Sequence, residues 1–241
     1  MTKRALVFAG RNGLDFIDLR MNVIRIPEVS LRISHAQSIF DSMDLPPISL
    51  MSVITSDDEQ FFRNIALKGL LAAVVQVGLY DRYLRTQPAP DYLVGCSNGD
   101  SAMLVAAGKI SFEDMIKNSR AISTLRPAEQ VQPLAVHPVP LLSGLSLTEY
   151  GAFEAKTNDQ GARIYEPLKD TSMELKKIIS TLHTDKGVTL FVNVGPASLL
   201  QTSDYRTVGT GDLEALDSIE LDPMLTWFWR DLESYKTVTL Q

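Results

Sequence analysis

A serine flanked by two glycines is the feature of this sequence best suited to chemistry. Residues 95–99 read Gly-Cys-Ser-Asn-Gly, between an apolar run over 92–94 and an Ala/Leu/Met-rich run over 101–107. A strand, a G-x-S-x-G turn and a helix form the nucleophile elbow of acyl-transferring enzymes. Such a turn exposes the serine hydroxyl at a helix N-terminus, where free amides favour an oxyanion. The pattern predicts Ser97 as a nucleophile; the alternative is a turn in which Ser97 only caps the helix.

Strands that alternate with helices surround this serine. Such alternation is typical of an α/β fold, a mostly parallel sheet flanked by helices. A chain of 241 residues can bury one large core, so we expect a single domain over 1–241. The hydrophobic pattern predicts strands over 5–8, 92–94, 136–143 and 187–194, and helices over 29–43, 56–85, 101–107, 170–183 and 222–235. Ser111 is the predicted N-cap of a further helix.

The composition excludes several classes of function. The net charge of −6 and the absence of a long basic cluster argue against nucleic acid as a partner. The longest apolar stretch, near 70–77, is too short to span a membrane, and no signal-peptide pattern is present, so we expect a cytoplasmic protein. A single cysteine, Cys96, excludes an internal disulfide and a cysteine metal cage, and the histidines lack metal-ligand spacing. We therefore expect no metal site.

The segment 95–115 resembles the active-site segment of the malonyl-CoA:acyl carrier protein transacylases, which the acyltransferase domains of polyketide and fatty acid synthases share. That family reads G-H-S-x-G-E, then an Ala/Leu helix and A-G. Residues 5–13 resemble its first strand and F-P-G-Q-G loop, and 190–198 its late E-x-G-P loop. Residues 64–80 resemble its Q-P-A-L…A-L-Y helix. The resemblance covers most of the chain in order, and the elbow segment is its most specific part.

The resemblance implies a fold, a substrate class and a set of site residues. The fold would be the α/β-hydrolase-like core of acyltransferases. Ser97 would form an acyl-enzyme from phosphopantetheine-bearing thioesters, acyl-CoA or acyl carrier protein, with no further cofactor. The oxyanion donors would be the backbone amides of Arg11 and Asn98, and Gly10, Arg11 and Cys96 would line the substrate pocket. The partner would be an acyl carrier protein or a synthase module.

Several family features are missing from this sequence. Ile122 stands where the resemblance implies a carboxylate-binding arginine, and the nearby Arg120 lies on another helical face. Few residues separate this helix from 136–143, which resembles a family segment that follows the catalytic histidine. The resemblance therefore implies that the ferredoxin-like small subdomain and that histidine are both missing, and we expect 122–133 to form a short connection. Cys96 also replaces the family histidine, and Arg11 the glutamine of the G-Q-G loop.

The identity of the general base is therefore undetermined by the sequence. A serine hydroxyl is a poor nucleophile without one. The candidates are His137, whose alternative is a structural histidine, and Lys169, whose alternative is a solvated lysine. His183 lies at a predicted helix C-terminus, where it would act as a cap, and Asp100 would cap the helix after the elbow. We expect neither His137 nor His183 to approach Ser97.

Three functions remain open at this stage. The first is an acyltransferase, or an acyl hydrolase of the thioesterase kind, that works through Ser97. The second is a catalytically impaired relative that binds a carrier protein or a synthase partner. The third is an unrelated α/β-hydrolase, which requires a late acid–histidine pair after the serine. Arg11 is the residue that the resemblance would allow to hold a malonyl carboxylate; its alternative is a surface loop arginine.

Overall fold

A six-stranded mixed sheet forms the centre of this computed structural model, which describes residues 3–8, 23–56, 64–96, 101–125, 150–168, 174–194 and 206–209. The strands are β1 (Lys3–Phe8), β2 (Tyr92–Cys96), β3 (Tyr150–Thr157), β4 (Arg163–Pro167), β5 (Val188–Val194) and β6 (Arg206–Gly209). Their order is β4-β3-β2-β1-β5-β6. Strands β2, β1, β5 and β6 run parallel, and β3 is antiparallel to both of its neighbours. The predicted α/β class, with helices flanking a sheet, is confirmed.

Helices cover both faces of the sheet. They are α1 (Pro27–Asp41), α2 (Leu50–Thr55), α3 (Ile65–Thr86), α4 (Ser101–Ala106), α5 (Phe112–Lys117), α6 (Arg120–Leu125) and α7 (Leu175–Thr184). The first six share one hydrophobic core with one face of the sheet, and α7 packs on the other face. Alternation along β1 shows the two faces directly, because Leu6 and Phe8 enter the first core and Ala5 and Val7 enter the second.

The long helix α3 runs antiparallel to the central strands. It begins after Asn64, whose side-chain oxygen accepts a hydrogen bond from the Leu67 amide at 3.0 Å. It ends before Gln87, which is extended because Pro88 follows it. Gln76 reaches the carboxyl end of β5 at Val194, whereas Gln87 accepts from Arg4 near the start of β1. The helix therefore crosses the sheet from its carboxyl edge to its amino edge.

Helices α1 and α3 pack closely, and charged pairs border their contact. Asp81 accepts two hydrogen bonds from Arg32, at 2.6 and 3.1 Å. Glu28, which is buried, accepts from Arg85 at 2.7 Å and lies 3.5 Å from the Arg82 guanidinium. These pairs fix how the two helices are aligned, and the apolar side chains between them supply the buried surface.

Several predicted boundaries were wrong. The helix expected from Ser56 is described only from Ile65, and Ser56 instead ends α2. The connection expected over 122–133 begins as helix, because α6 continues to Leu125.

The strand expected over 136–143 and the helix expected over 222–235 lie outside the described residues. Ser111 is confirmed as an N-cap, since its hydroxyl oxygen accepts from the Asp114 amide at 2.9 Å.

The hairpin β3–β4 was not predicted, although its turn has a recognisable pattern. The Asn158 side-chain oxygen accepts hydrogen bonds from the amides of Gln160 and Ala162, at 3.0 and 2.8 Å. Gly161 has a φ of 78°, a conformation that glycine adopts without a steric penalty. Asparagine at the start of a turn and glycine at its left-handed position together indicate a hairpin turn. This hairpin makes one edge of the sheet antiparallel, which the expectation of a largely parallel core did not include.

Two glycines of α3 should respond in opposite ways to alanine. A Cβ at Gly78 would lie 2.6 Å from the Val29 Cα, whereas one at Gly69 would meet nothing within 4 Å. We expect Gly78→Ala to lower the free energy of unfolding by about 1–3 kcal/mol, because α1 must move. Gly69→Ala should raise it by roughly 0.5–1 kcal/mol, because alanine favours a helix. Urea unfolding measures both, and equal stability of the two variants would contradict the close contact of α1 and α3.

Candidate functional site

Three parallel strands end side by side at one edge of the sheet. Phe8 pairs with Gly95 of β2 and with Val194 of β5, so these three residues form one row across the sheet. Adjacent strands lie about 4.8 Å apart. The predicted site segments 9–13, 97–100 and 195–198 each follow one of these strands in the sequence. They therefore begin at the same carboxyl edge, which is where open α/β sheets bind their ligands.

The described elements on both sides of Ser97 match the predicted elbow. Strand β2 ends at Cys96 and helix α4 begins at Ser101, as the strand–turn–helix pattern requires. The two elements touch at Gly95, where an added Cβ would lie 2.8 Å from the Met103 sulfur. Glycine at this position thus leaves room for the Met103 side chain to pack directly on the strand. Ser97 and Asn98 themselves lie outside the described residues, as does Asp100.

Most other predicted site residues also lie outside the described ranges. These are Gly10, Arg11, His137 and Lys169. Cys96 is described as the last residue of β2, paired with Tyr150 at the start of β3. Because β3 is antiparallel to β2, it starts at the carboxyl edge. The segment that contains His137 thus rejoins the described structure beside Cys96.

His183 lies at the opposite edge of the sheet. Its Nδ1 is 2.8 Å from the Val188 carbonyl oxygen, which can only accept, so Nδ1 donates this hydrogen bond. Val188 begins β5, whereas the candidate site lies where β5 ends at Val194. Seven residues of strand span about 20 Å. His183 is therefore too far from the carboxyl edge to serve as a base for a nucleophile there, and the expectation that it stays away from the elbow is supported by this topology.

The positions of two further residues also bear on the site. His35 is exposed on α1, and its ring packs on Phe112 with centroids 5.0 Å apart. Ile122 is 2% exposed and belongs to the large core that α1–α6 share with the sheet. A side chain in that core cannot hold a substrate carboxylate, and burying an unpaired arginine there would be costly. The predicted departure from the family at Ile122 is thus consistent with its burial.

Two polar residues of α3 near the carboxyl edge were missed by sequence reasoning. The buried Gln76 donates a hydrogen bond from Nε2 to the Val194 carbonyl oxygen at 3.1 Å. Tyr80, one turn later, packs on the Phe8 ring at 6.1 Å and donates to the Ala106 carbonyl oxygen at 3.4 Å. Burial raises the pKa of Tyr80, so its hydroxyl stays protonated and can donate. The signal in the sequence was a lone glutamine within the apolar run over 70–77.

Other features of the described structure add little to this site. A groove of about 570 Å³ lies between α1 and residues 47–51, and the predicted site residues are not among those lining it. Within the described ranges, no group of three or more His, Cys, Asp or Glu residues could hold a metal ion. None of the described helices combines the length and the apolar character needed to cross a bilayer.

Comparison with known proteins gives fold-level likeness. Neither a family model nor a curated protein matches the sequence. A malonyl-transacylase, solved in complex with its type II polyketide synthase acyl carrier protein, superposes with a TM-score of 0.54 at 13% identity, over 90% of this chain and 98% of that one. A malonyl CoA-acyl carrier protein transacylase from Clostridium perfringens gives 0.52 at 12% identity, over 97% and 99% of the two chains. The chain has an acyltransferase-like fold.

Shorter matches have higher identity. The malonyl-CoA:ACP transacylase of Synechocystis matches at 20% identity with a TM-score of 0.41, over 48% of this chain. The corresponding protein of Coxiella burnetii gives the same values. These two matches span 37% and 35% of the respective transacylase chains.

The contact between Gly95 and Met103 can be tested by a double-mutant cycle. Gly95→Ala should lower the free energy of unfolding by about 1–3 kcal/mol, because its Cβ would overlap the buried Met103 side chain. Met103→Ala should cost about 2–5 kcal/mol through the cavity it leaves. The double variant should lose less than the sum, by about 1 kcal/mol or more, because the cavity admits the new methyl group. Simple additivity in urea unfolding would contradict direct packing of α4 on β2.

Proposed function

We propose that this protein is an acyltransferase of polyketide or fatty acid biosynthesis that handles acyl thioesters of CoA or of an acyl carrier protein. The main support for the proposal is that Gly95, Phe8 and Val194 lie in one row at the carboxyl edge of the sheet. The three segments that resemble site segments of the transacylases continue from this row. The acyltransferase-like fold supports it. A structurally similar malonyl-transacylase was solved in complex with its acyl carrier protein, and we therefore propose a carrier protein as the partner of this chain.

The proposed reaction has two steps. The Ser97 oxygen attacks the thioester carbonyl, the carbon–sulfur bond breaks, and the serine proton ends on the departing thiol. The thiol of a second phosphopantetheine group then attacks the serine ester, the carbon–oxygen bond breaks, and the proton returns to Ser97. In this proposal the amides of Arg11 and Asn98 bind the oxyanion of each tetrahedral intermediate. Gly10, Arg11 and Cys96 border the acyl group, and no further cofactor takes part.

A general base must accept the serine proton, and we propose His137 and Lys169 as the two candidates. The topology does not choose between them, because the His137 segment rejoins the sheet at Tyr150 beside the end of β2, and Lys169 directly follows Leu168, which is level with Ala152 near the same edge. His183 is unsuitable because it hydrogen-bonds to Val188 at the amino edge. A lysine base would need desolvation to lose its proton near neutral pH.

One alternative is a catalytically impaired relative that binds a carrier protein or a synthase partner. The buried Ile122 favours it, because the carboxylate-binding arginine implied by the resemblance is replaced by a core residue. This alternative separates recognition from chemistry, so carrier binding would persist without loading. An acyl hydrolase is the other alternative, in which water replaces the accepting thiol. Loading assays and acceptor assays distinguish the three.

Loading of Ser97 is the first expected result. After mixing with malonyl-, acetyl- and longer acyl-CoA, the intact protein should gain the mass of one acyl group. Ser97→Ala should abolish the gain, because the attacking oxygen is lost. His183→Ala is the matched control and should load normally, because its ring lies at the amino edge. An equal gain in wild type and Ser97→Ala would contradict the proposal.

The same assay ranks the candidate bases. Whichever of His137→Ala and Lys169→Ala removes the base should slow loading by about 10²–10⁴-fold, the usual contribution of general base catalysis. If neither variant slows a loading reaction that depends on Ser97, both base assignments are wrong.

Malonyl selectivity should depend on Arg11. The proposed contact of its guanidinium with the malonyl carboxylate is a charge-assisted hydrogen bond, which typically contributes about 1.5–3 kcal/mol. Arg11→Ala should therefore lower the ratio of malonyl to acetyl loading roughly tenfold or more. Arg120→Ala is the control, because Arg120 is an exposed arginine near Ile122, and its ratio should not change. An unchanged ratio in Arg11→Ala, in a protein that loads malonate, would refute this role.

A further inference from the structure

Gln76 is an unusual residue for its position in α3. Its side chain is 1% exposed, and its neighbours Val74, Val75 and Val77 are buried and apolar. A buried amide costs free energy unless it is hydrogen-bonded, so an apolar residue would ordinarily be better suited to such a site. The hydrogen bonding of the side-chain amide must therefore explain why a glutamine occupies this position.

Gln76 binds the last backbone carbonyl group of β5. Its Nε2 donates to the Val194 carbonyl oxygen at 3.1 Å. Val194 is the final residue of the strand and pairs with Phe8, and among the described residues the last pair between β5 and β6 is Asn193 with Gly209. A buried carbonyl at the end of a ladder needs a donor. Gln76 supplies one from a different layer of the molecule and fixes the end of β5 against α3.

We propose that Gln76 is a positioning residue for acyl transfer, which acts by holding the carboxyl end of β5 level with the ends of β1 and β2. The inference rests on the proposed function. Residues 195–198, which resemble a loop of the transacylase site, follow directly on Val194. Displacement of a site group by about 1 Å can reduce a rate about 100-fold. Gln76 touches no reacting atom in this account, so its effect is indirect.

The chain offers a matched control at the end of the same helix. Gln87 accepts a hydrogen bond from the Arg4 guanidinium at 2.6 Å, near the start of β1. Gln76 and Gln87 are thus the same residue type, on or next to one helix, bound to opposite edges of one sheet. Gln76→Met and Gln87→Met remove the polar contact at one edge each and leave side chains of similar size.

Amide exchange of the full chain tests the positioning independently of any reaction. In Gln76→Met, the amides of Phe8 and Val194 should exchange at least tenfold faster relative to those of Arg4 and Val188, because the carboxyl edge opens locally. Gln87→Met should show the opposite pattern. Uniform acceleration at both edges, or no change, would overturn the proposal. If Gln76→Met does not fold, Gln76→Asn keeps the amide one methylene short and carries the same expectation.

Loading kinetics test the functional consequence. In Gln76→Met, the first-order loading rate at saturating acyl-CoA should fall at least tenfold, while the half-saturating concentration and the fraction loaded stay near those of wild type. Gln87→Met should load at a rate within about twofold of wild type. A fall only in the fraction loaded would indicate loss of folded protein and would overturn a positioning role, as would an unchanged rate. If wild type loads no acyl group, the acyl-transfer proposal fails; localised exchange would still support the contact, and uniform exchange would overturn it.

Discussion

The parallel backbone ladder that joins β1 to β2 on one side and to β5 on the other is the constraint on which the candidate site depends. Parallel strands share a direction, so the segments that follow them begin at one edge. The registers place Gly95, Phe8 and Val194 in one row, although almost 190 residues of sequence separate Phe8 from Val194. The ladder is buried on both faces, and its backbone groups must remain paired there. Moving one strand by a residue would separate the segments and exchange the two cores.

Helix α3 links this ladder to the helical layer above it. It contacts α1 closely at Gly78, the carboxyl edge through Gln76, and the amino edge through Gln87. The same face of the sheet receives α4, which packs on Gly95 through Met103. Helices α3 and α4 therefore pack on one face of the sheet, next to the strand end that the segment 97–100 follows. Precise placement of this kind is what an acyl-transfer site needs from its fold.

The sequence was most informative where local chemistry decides structure. Buried apolar runs identified β1, β2 and β5, and Ser111 was recognisable as a cap because its hydroxyl acts within one turn. The direction and order of strands depend on distant pairing, so the antiparallel hairpin β3–β4 was missed despite its turn at Asn158. Ser56 was mistaken for the start of α3 because the residues after it form a capping pattern. The helix instead begins after Asn64, whose side chain caps it. Near the site, the strand before Ser97 and the helix after it followed from local pattern, whereas the tertiary contact of Gln76 could not be predicted in this way.

We propose that this edge of the sheet presents Ser97 as the acylated residue, and Cys96 immediately before it is a competing nucleophile. Both residues lie on one tryptic peptide, Thr86–Lys109. The most direct measurement is therefore fragmentation mass spectrometry of this peptide after loading with acyl-CoA and digestion with trypsin. Fragment ions should place the acyl group on Ser97, as an ester that survives neutral hydroxylamine. An acyl group on Cys96, as a thioester that neutral hydroxylamine removes, would contradict it.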